Sequence, residues 1–258
     1  MKNKPLPYSA QIEPVIGTDV KSLNDLETFY RDVYLNCFTN KDERESLNNL
    51  FFYLKRSAKT RLWKYHIILI KDNTGSILGG AIFDYFKKSN TGMVEFVAIR
   101  KDYQHLGLGS FLYRAILRYL IADARQNHLT KPAYVFCEVE IPATRGRYKK
   151  NILFWNHHRF RHLNFQYIQP NLSPKQKALN NLWLMIRGAE ISVPGQLILN
   201  VLSDYLKYGM NIPEPMQNPH YRKMKQEIIR MGDVPTSTLS ESTRPSGKHR
   251  LTSKNTQS

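Results

Sequence analysis

The chain has 258 residues, a net charge of +17 and 41% hydrophobic residues, enough apolar material for one substantial core followed by a tail. Its apolar runs are no longer than a strand, and residues 1–20 lack the apolar segment of a secretory signal. Neither a membrane-spanning helix nor a signal peptide is therefore expected. The two cysteines, Cys37 and Cys137, exclude a disulfide framework and favour a reducing, cytoplasmic compartment.

Hydrophobic periodicity divides the first half of the chain into alternating segments. The pattern predicts, in order, a strand near 11–15, helices over 23–36 and 43–59, and strands over 65–70, 77–85 and 93–99. Two short polar turns separate the last three strands, so these strands are expected to form an antiparallel meander.

The second half predicts a parallel crossover and then a mixed continuation. Its elements are a helix over 109–126, a strand over 134–140, a basic loop at 142–150, a helix over 151–158, extended segments at 165–168 and 179–186, and helices over 194–208 and 221–231. The order strand, helix, strand implies one parallel pair of strands. The last segment is rich in Ser, Thr, Lys and Pro, which predicts disorder.

The predicted organisation is an α/β (α+β) domain with two additions. The domain covers residues 1–190, a helical extension covers 191–231, and a basic, disordered tail covers 232–258. The helix over 194–208 should bury one apolar stripe, formed by Ile198, Val201, Leu202 and Tyr205.

A glycine-containing loop lies between the strand over 93–99 and the helix that follows it. Gly107 and Gly109 are separated by one residue, which lets the main chain curl closely around an anion. The first turn of a helix also offers unpaired N–H groups and the positive end of a dipole. The loop therefore predicts a diphosphate site, although a strand-to-helix turn without a ligand fits the bare pattern as well.

Positive charge extends through the body of the chain. Its densest stretch comprises Arg145, Arg147, Lys149, Lys150, Arg159 and Arg161, with no acidic residue between Glu140 and Glu190. Such a stretch indicates either a solvated face or a surface for an anionic partner such as nucleic acid.

With these elements in place, the chain resembles the GNAT superfamily of acyl-CoA-dependent N-acetyltransferases. The element order matches from about residue 11 to 187, and Val94–Ile99 followed by the 104–109 loop is similar to the superfamily's strand and acetyl-CoA loop. Phe154–Phe160 lies where these proteins carry a Phe-Tyr-x-x-x-Gly-Phe segment. The stretch 165–174 is similar to an uncharacterised bacterial subgroup. The resemblance implies a mixed, mostly antiparallel central sheet flanked by helices, with acetyl-CoA as cosubstrate.

The resemblance also implies which residues hold that cosubstrate. Val97 and Ile99 would pair through their backbone with the pantetheine arm, and the Val97 N–H would stabilise negative charge on the thioester oxygen. The main chain of the loop would hold the pyrophosphate; the loop comprises Gln104, His105, Leu106, Gly107, Leu108, Gly109 and Ser110.

The chain departs from the superfamily pattern at the usual proton donor. Trp155 occupies the place beside the cofactor where relatives often carry a tyrosine, and its indole N–H is a poor acid. Arg159 replaces the usual glycine. Tyr148 or Tyr167 could supply the missing hydroxyl.

A base is needed because an amine with a pKa near 10.4 is protonated at neutral pH, and deprotonating it costs about 4 kcal/mol. Glu95 is the first candidate, expected one step along the same strand face from Val97. Its alternative role is a structural pair with an Arg or Lys. Glu138 is the alternate base or an amine-binding carboxylate, and Glu140, on the same face, is a third candidate.

The sequence thus predicts transfer of an acetyl group from acetyl-CoA to a primary amine by direct attack. The basic body favours an anionic acceptor, either a small molecule or a peptide. The alternative is a basic binding module without turnover, for nucleic acid or a protein partner, which Trp155 favours. The tail also fits an export signal of a bacterial effector. No metal site is predicted, because His157 and His158 diverge by about 100° on a helix, and no membrane partner is expected.

Overall fold

The structure is a computed structural model that describes residues 10–141 and 145–240, with residues 145, 147 and 148 described by backbone alone. Its strands are β1 (Gln11–Pro14), β2 (Trp63–Lys71), β3 (Ile77–Phe86), β4 (Thr91–Ile99), β5 (Tyr134–Glu140), β6 (Phe160–Leu163), β7 (Leu182–Arg187), β8 (Ser192–Pro194) and β9 (Asp233–Ser237). Its helices are α1 (Val20–Phe29), α2 (Leu35–Cys37), α3 (Leu47–Ser57), α4 (Leu108–Gln126), α5 (Arg145–His157), α6 (Gly195–Asp204) and α7 (Pro219–Met231). One π-helical turn, Tyr30–Tyr34, joins α1 to α2, and another, Tyr205–Gly209, extends α6.

The strands form one mixed sheet in the order β1-β2-β3-β4-β5-β7-β6-β9-β8. Only the β4–β5 pair is parallel among the described pairings, because α4 carries the chain across the sheet between these two strands. The antiparallel meander of β2, β3 and β4 follows from the two short turns. The predicted fold class, a mostly antiparallel mixed sheet flanked by helices, is confirmed.

Helices cover both faces of the sheet. On one side, which we call the α1 face, buried residues of α1, α3, α6 and α7 pack against the strands. On the opposite side, the α4 face, α4 and α5 cover the sheet. The predicted buried stripe of α6 is confirmed and lies on the α1 face, so the C-terminal segment shares a core with the first part of the chain.

A β-bulge interrupts β4 in its middle. Ile82 of β3 lies opposite Phe96 and Phe83 lies opposite Val94, so Glu95 is an extra residue without a partner on β3. An extra residue breaks the strict alternation of side chains along a strand. The bulge therefore decides which face of the sheet Glu95 reaches.

Two predicted boundaries are wrong in the region after β5. The stretch predicted as a basic loop is helical from Arg145, since Arg and Lys are good helix formers and their polarity alone does not indicate a loop. The strand predicted over 165–168 lies instead at β6, where Phe160 and Leu163 are buried and β7 and β9 supply backbone partners.

The tail prediction is also wrong at its start. Residues 233–237 form β9, which pairs with both β6 and β8, and Val234 and Leu239 are buried. Pairing with the neighbouring strands offsets the entropy cost of ordering this segment, which its own polar composition could not offset. Residues 241–258 lie outside the described part of the chain.

Candidate active site

The glycine loop has the backbone shape of an anion cradle. His105 and Gly107 both adopt left-handed conformations, with φ of 68° and 83°. An added Cβ at Gly107 would meet no atom within 4 Å, so the chain's own packing does not require a glycine there. Within the described residues, no side chain caps the first turn of α4, whose N–H groups consequently point out of the helix end. The loop therefore retains the donors and the space that a diphosphate needs.

The other loop residues support this shape. Gln104 Nε2 donates to the Ile99 carbonyl over 3.1 Å and ties the loop to β4. Ser110 Oγ lies 3.1 Å from His158 Nε2, which links the start of α4 to the end of α5. Leu106 is exposed and Leu108 is buried in the core of the α4 face.

Gly109 has a packing role that the motif did not suggest. A Cβ at this position would lie 3.2 Å from Phe154 Cε2, so the missing side chain lets α5 approach the first turn of α4. Both glycines were predicted to lie against the anion, whereas of the two only Gly107 faces open space.

The parallel strands β4 and β5 separate next to this loop. They pair only from Thr91–Tyr134 to Val94–Cys137, and β4 continues without a β5 partner beyond that point. Arg100 N donates to the Leu78 carbonyl on β3. Because the backbone N–H and C=O groups of successive residues point to alternate edges of a strand, those of Val97 and Ile99 point away from β3, towards the opening. The Ile99 carbonyl already accepts from Gln104 and from Cys37 Sγ. The Val97 peptide group is thus the stronger candidate for binding an extended arm.

Trp155 is part of the core rather than an open wall of the site. Its ring packs edge-on against Phe154 and Phe160, and the residue is only 9% exposed. Packing against these two rings explains why the indole is buried, and no bound ligand is needed to explain it. The side chain of Tyr148 lies outside the described residues.

Three acidic side chains form a row across the sheet on the α1 face. We call Asp84 of β3, Glu95 of β4 and Glu138 of β5 the carboxylate row. Tyr65 of β2 lies opposite Asp84 and extends the row by one strand. Glu138 is the first β5 residue beyond the last β4–β5 pair, so the row ends at the opening between these strands.

Aromatic hydroxyl and indole groups donate to this row. Trp63 Nε1 donates to Asp84 Oδ1 over 2.6 Å. Tyr205 Oη, on the second π-helical turn, donates to Glu138 Oε2 over 2.9 Å, and Tyr167 Oη donates to Glu138 Oε1. Both oxygens of Glu138 are therefore held in place by tyrosines.

Burial keeps these acids from ionising readily. It raises the pKa of Glu138 to about 7, although the hydrogen bonds from Tyr167 and Tyr205 favour the charged form and lower this pKa. Burial also raises the pKa of Asp84 to about 6. The pKa of Glu95 lies well above its ordinary value, first because of burial and then because of the neighbouring charge of Asp84. Asp84 and Glu95 thus hold one proton between them at neutral pH.

The predicted arrangement of Glu95 and Val97 is wrong. They were expected on one strand face, but Glu95 lies among the α1-face residues next to Asp84, while Val97 packs against the core of the α4 face. The bulge at Glu95 is the physical reason, because one extra residue reverses the alternation beyond it. Glu95 also forms no ion pair with a described Arg or Lys, contrary to its alternative role.

A fourth buried acid and a cleft lie beside the row. Glu45, just before α3, accepts from Asn49 Nδ2 over 2.6 Å and from Tyr53 Oη over 3.3 Å. Asn49 and Tyr53 also line a cleft of about 350 Å³ between α3, the 171–174 loop and the segment after α6.

Tyr167 was predicted from the sequence as a candidate hydroxyl donor, whereas Glu45, Asp84 and the contact of Tyr205 with Glu138 were not predicted. One signal was available, because Asp84 is a single charge in β3, whose ten residues are all buried. The tyrosine contacts had no signal, since Tyr205 reaches Glu138 across 67 positions of sequence.

Parallel strands that open beside a glycine loop, with a carboxylate at the opening, form the arrangement expected of an acyl-CoA-dependent N-acyltransferase, the class that the resemblance implied. Residues 24–149 match the model of the Acetyltransferase (GNAT) family. This match spans 126 of the 258 residues and indicates a GNAT acetyltransferase domain in that part of the chain. Proteins of this family transfer an acyl group from acyl-CoA.

One solved structure agrees with this family match at the level of the fold. A putative acetyltransferase from Bacteroides thetaiotaomicron shares 20% identity with a TM-score of 0.57, over 77% of this chain and 98% of that one. The spermidine N-acetyltransferase from Vibrio cholerae, in complex with CoA and spermine, shares 9% identity with a TM-score of 0.47, over 69% and 94% of the two chains. The second similarity is too weak to inform the substrate. No curated protein matches the chain.

One further observation concerns membranes. Among residues 10–141 and 145–240, no helix has both the length and the apolar character that crossing a membrane requires.

Proposed function

We propose that this protein transfers an acetyl group from acetyl-CoA to a primary amine by direct attack, with Glu138 as the general base. The observation that carries the proposal is the position of Glu138 at the opening between β4 and β5, held by Tyr167 and Tyr205 with a pKa of about 7. A base with a pKa close to the working pH is both available and able to take a proton.

The loop and the opening fit acetyl-CoA as the cosubstrate. The Gly107 space, the uncapped start of α4 and the Val97 peptide group supply a diphosphate cradle and a backbone edge. Acetyl-CoA would supply an activated thioester. The loop main chain would bind and orient it, and the Val97 N–H would stabilise negative charge on the carbonyl oxygen.

Glu138 is a better base than Glu95, the first candidate of the sequence analysis. Glu95 keeps its proton at neutral pH because of burial and the charge of Asp84, whereas Glu138 is half-ionised there. Glu138 is also partly exposed, while Glu95 is 8% exposed. Tyr167 holds the Glu138 carboxylate and remains available as a hydroxyl donor, since burial raises its pKa well above the ordinary value.

The acidic lining favours a cationic amine over the anionic acceptor that net charge suggested. The positive charges lie on the body of the protein, but the α1 side of the opening carries the half-buried Glu138, with the buried Asp84 and Glu95 beside it. An ammonium group entering there would be attracted before it loses its proton. The two free thiols, Cys37 and Cys137, agree with the cytoplasmic location that we propose.

Product analysis tests the proposal. Purified protein is incubated with acetyl-CoA and a panel of amines, and acetylated amines are identified by mass spectrometry. We expect an acetylated product with the wild type and at least about 100-fold less with Glu138→Gln, the lower range for loss of a general base. Equal yields from both proteins would remove Glu138 from the mechanism, and no product from any amine would refute the proposed function.

A further inference from the structure

The second π-helical turn, Tyr205–Gly209, brings the helical extension to the candidate base. It lies beyond residues 24–149, which match the family model, yet Tyr205 Oη donates to Glu138 Oε2 over 2.9 Å. The Met210 N–H donates to the Tyr205 carbonyl over 3.0 Å, which closes the turn across five residues instead of four. Such turns are rare and are frequently found at functional sites, so the contacts that keep this one in place bear on Glu138.

Gly209, the last residue of the turn, lets the Tyr205 ring lie where it reaches Glu138. An added Cβ at Gly209 would lie 2.7 Å from Tyr205 Cδ2, closer than side-chain carbons approach one another. It would also lie 3.1 Å from Asp84 Oδ2. Tyr205 is buried, so its ring has little space to move aside. The turn and the ring therefore have to fit together for the hydrogen bond to Glu138 to form.

Arg56, in the last turn of α3, binds this turn from the outside. Its Nη1 donates to Asn211 Oδ1 over 2.8 Å, and its Nη2 donates to the Lys207 carbonyl over 3.4 Å. Lys207 lies within the turn, and Asn211 lies two residues after its end. Because the guanidinium group is planar and presents its donors in a fixed geometry, two such bonds restrain the segment more than one flexible donor would.

Aromatic rings add to this contact. The Arg56 guanidinium lies 5.9 Å from the ring centres of both Trp63 and Tyr208, and these two rings stack with their centroids 5.8 Å apart. The face of an aromatic ring at this distance attracts a cation. Trp63 also donates to Asp84, which joins the anchored turn to the carboxylate row. Within the part of the chain that the structure describes, Arg56 forms no ion pair with an acid.

We propose that Arg56 is a positioning residue, which holds the second π-helical turn so that the Tyr205 hydroxyl stays on Glu138, and that the helical extension thereby completes the candidate active site. Arg56 acts through the turn, because its own hydrogen bonds go to Asn211 and Lys207 and not to a carboxylate. The consequence for catalysis rests on the proposed function, in which Glu138 is the general base.

Release of the turn has a consequence that a purely structural role would not have. The hydrogen bond from Tyr205 favours the charged form of Glu138 and lowers its pKa, so loss of this bond raises the pKa of Glu138 above about 7. Glu138 then acts as a base only at higher pH. Among the described residues, the other titratable groups that interact with Glu138 are Tyr167, Asp84, Glu95 and Cys137.

An NMR titration of the full chain tests this effect without turnover. Glutamate side chains are labelled with carbon-13 at the carboxyl group, and the Glu138 signal is identified by its absence in Glu138→Gln. We expect a titration midpoint near pH 7 in the wild type. The midpoint should be at least about 0.5 pH unit higher in Arg56→Gln and in Tyr205→Phe, as loss of one hydrogen bond implies. A wild-type midpoint in either variant would overturn the positioning role.

Further variants separate positioning from a direct effect of charge. Arg56→Lys keeps the positive charge without the paired donors, so its midpoint should also rise, and it decides the question if Arg56→Gln does not fold. In a Tyr205→Phe background, Arg56→Gln should raise the midpoint no further, because the hydrogen bond through which it acts is already absent. Arg31→Gln, the same change on an exposed arginine of the first π-helical turn, should leave the midpoint unchanged. A wild-type midpoint in Arg56→Lys, or additive rises in the double variant, would contradict the assignment.

Kinetics distinguish this inference from the proposed function. If the wild type acetylates an amine and kcat/KM has the same inflection with pH in Arg56→Gln, the transferase stands and the positioning role is rejected. If the Glu138 midpoint rises in Arg56→Gln but no amine is acetylated by the wild type, the positioning of Tyr205 stands and the transferase is rejected.

Discussion

Glu138 is the residue on which the proposed chemistry depends most. Its two oxygens are fixed by Tyr167 and Tyr205, its position ends the carboxylate row at the strand opening, and burial brings its pKa to about 7. At a pH between the unfolded pKa and the higher folded pKa, the folded protein keeps the proton of this carboxyl group, whereas the unfolded chain has released it. The contribution of Glu138 to stability therefore falls as the pH rises from about 4.5 to about 7.

The first prediction concerns this linkage. Glu138→Gln removes a carboxylate that is costly to bury when charged, while the amide oxygen can still accept from Tyr205. We expect the change in melting temperature on substitution to be more favourable at pH 8 than at pH 5. Thermal unfolding of both proteins at the two pH values measures it, and an equal change at both would show that Glu138 is not buried as a neutral acid.

The second prediction concerns the pH dependence of turnover. Since Glu138 must be ionised to accept a proton, kcat/KM should rise with pH through an inflection near 7 in the wild type. Glu138→Gln should lose this inflection along with most of its activity. An unchanged inflection in the variant would assign it to another group, such as the amine itself.

The glycine loop is the element that carries both the sequence motif and the proposed cofactor site. Gly107 and Gly75 provide a matched pair, because both have a φ of 83° and neither would bring an added Cβ within 4 Å of another atom. An L-residue in this conformation costs about 1–2 kcal/mol at either position. The two substitutions should therefore affect stability equally, and a difference in CoA affinity between them reports on contact with the ligand.

The third prediction uses this pair. Gly107→Val and Gly75→Val should lower the melting temperature by similar amounts. Only Gly107→Val should weaken CoA binding, by at least about tenfold, because its side chain occupies the space left for the diphosphate. Calorimetric titration of CoA into both variants measures the difference, and equal affinities would remove the loop from the cofactor site.

Strand β9 is an element whose contribution can be measured by truncation. A chain ending at Met231 loses the pairing of β9 with β6 and β8, the hydrogen bonds of Arg161 to Thr236 and the burial of Val234 and Leu239. Burial of two such side chains is worth about 1.5–3 kcal/mol each.

The fourth prediction follows from these contacts. We expect truncation after Met231 to lower the free energy of unfolding by at least about 3 kcal/mol. A chain ending at Ser240, the matched control, should unfold like the full chain in denaturant titrations. Equal stability of the chain ending at Met231 would mean that β9 adds nothing to the core.

Most elements could be predicted from the sequence, because their signals are local. β5 and α4 follow from alternation and from three- and four-residue spacing, and their bounds agree with the predictions to within one residue. The bulge at Glu95 and the strand β9 depend on partners far along the chain, so neither the reversed strand face nor the order of residues 233–237 could be predicted. The same distinction applies to the candidate site. The glycine loop has a local sequence signal, whereas the contacts of the tyrosines with Glu138 depend on residues far apart in the chain.

At the scale of the whole molecule, the charge distribution decides between the two functional classes considered from the sequence. A basic body with acids at the opening between β4 and β5 attracts anions to its surface and cations to the opening. The transferase requires the opening, while a binding module without turnover requires only the surface. Retention on nucleic acid that falls steeply with salt would be evidence for the module.

Amine-dependent release of CoA thiol from acetyl-CoA, followed with a thiol reagent in wild type and Glu138→Gln, tests the central claim most directly. We predict release that rises with the concentration of a cationic amine in the wild type and falls at least about 100-fold in the variant. Release that never exceeds hydrolysis in buffer, for any amine in the panel, would contradict the account.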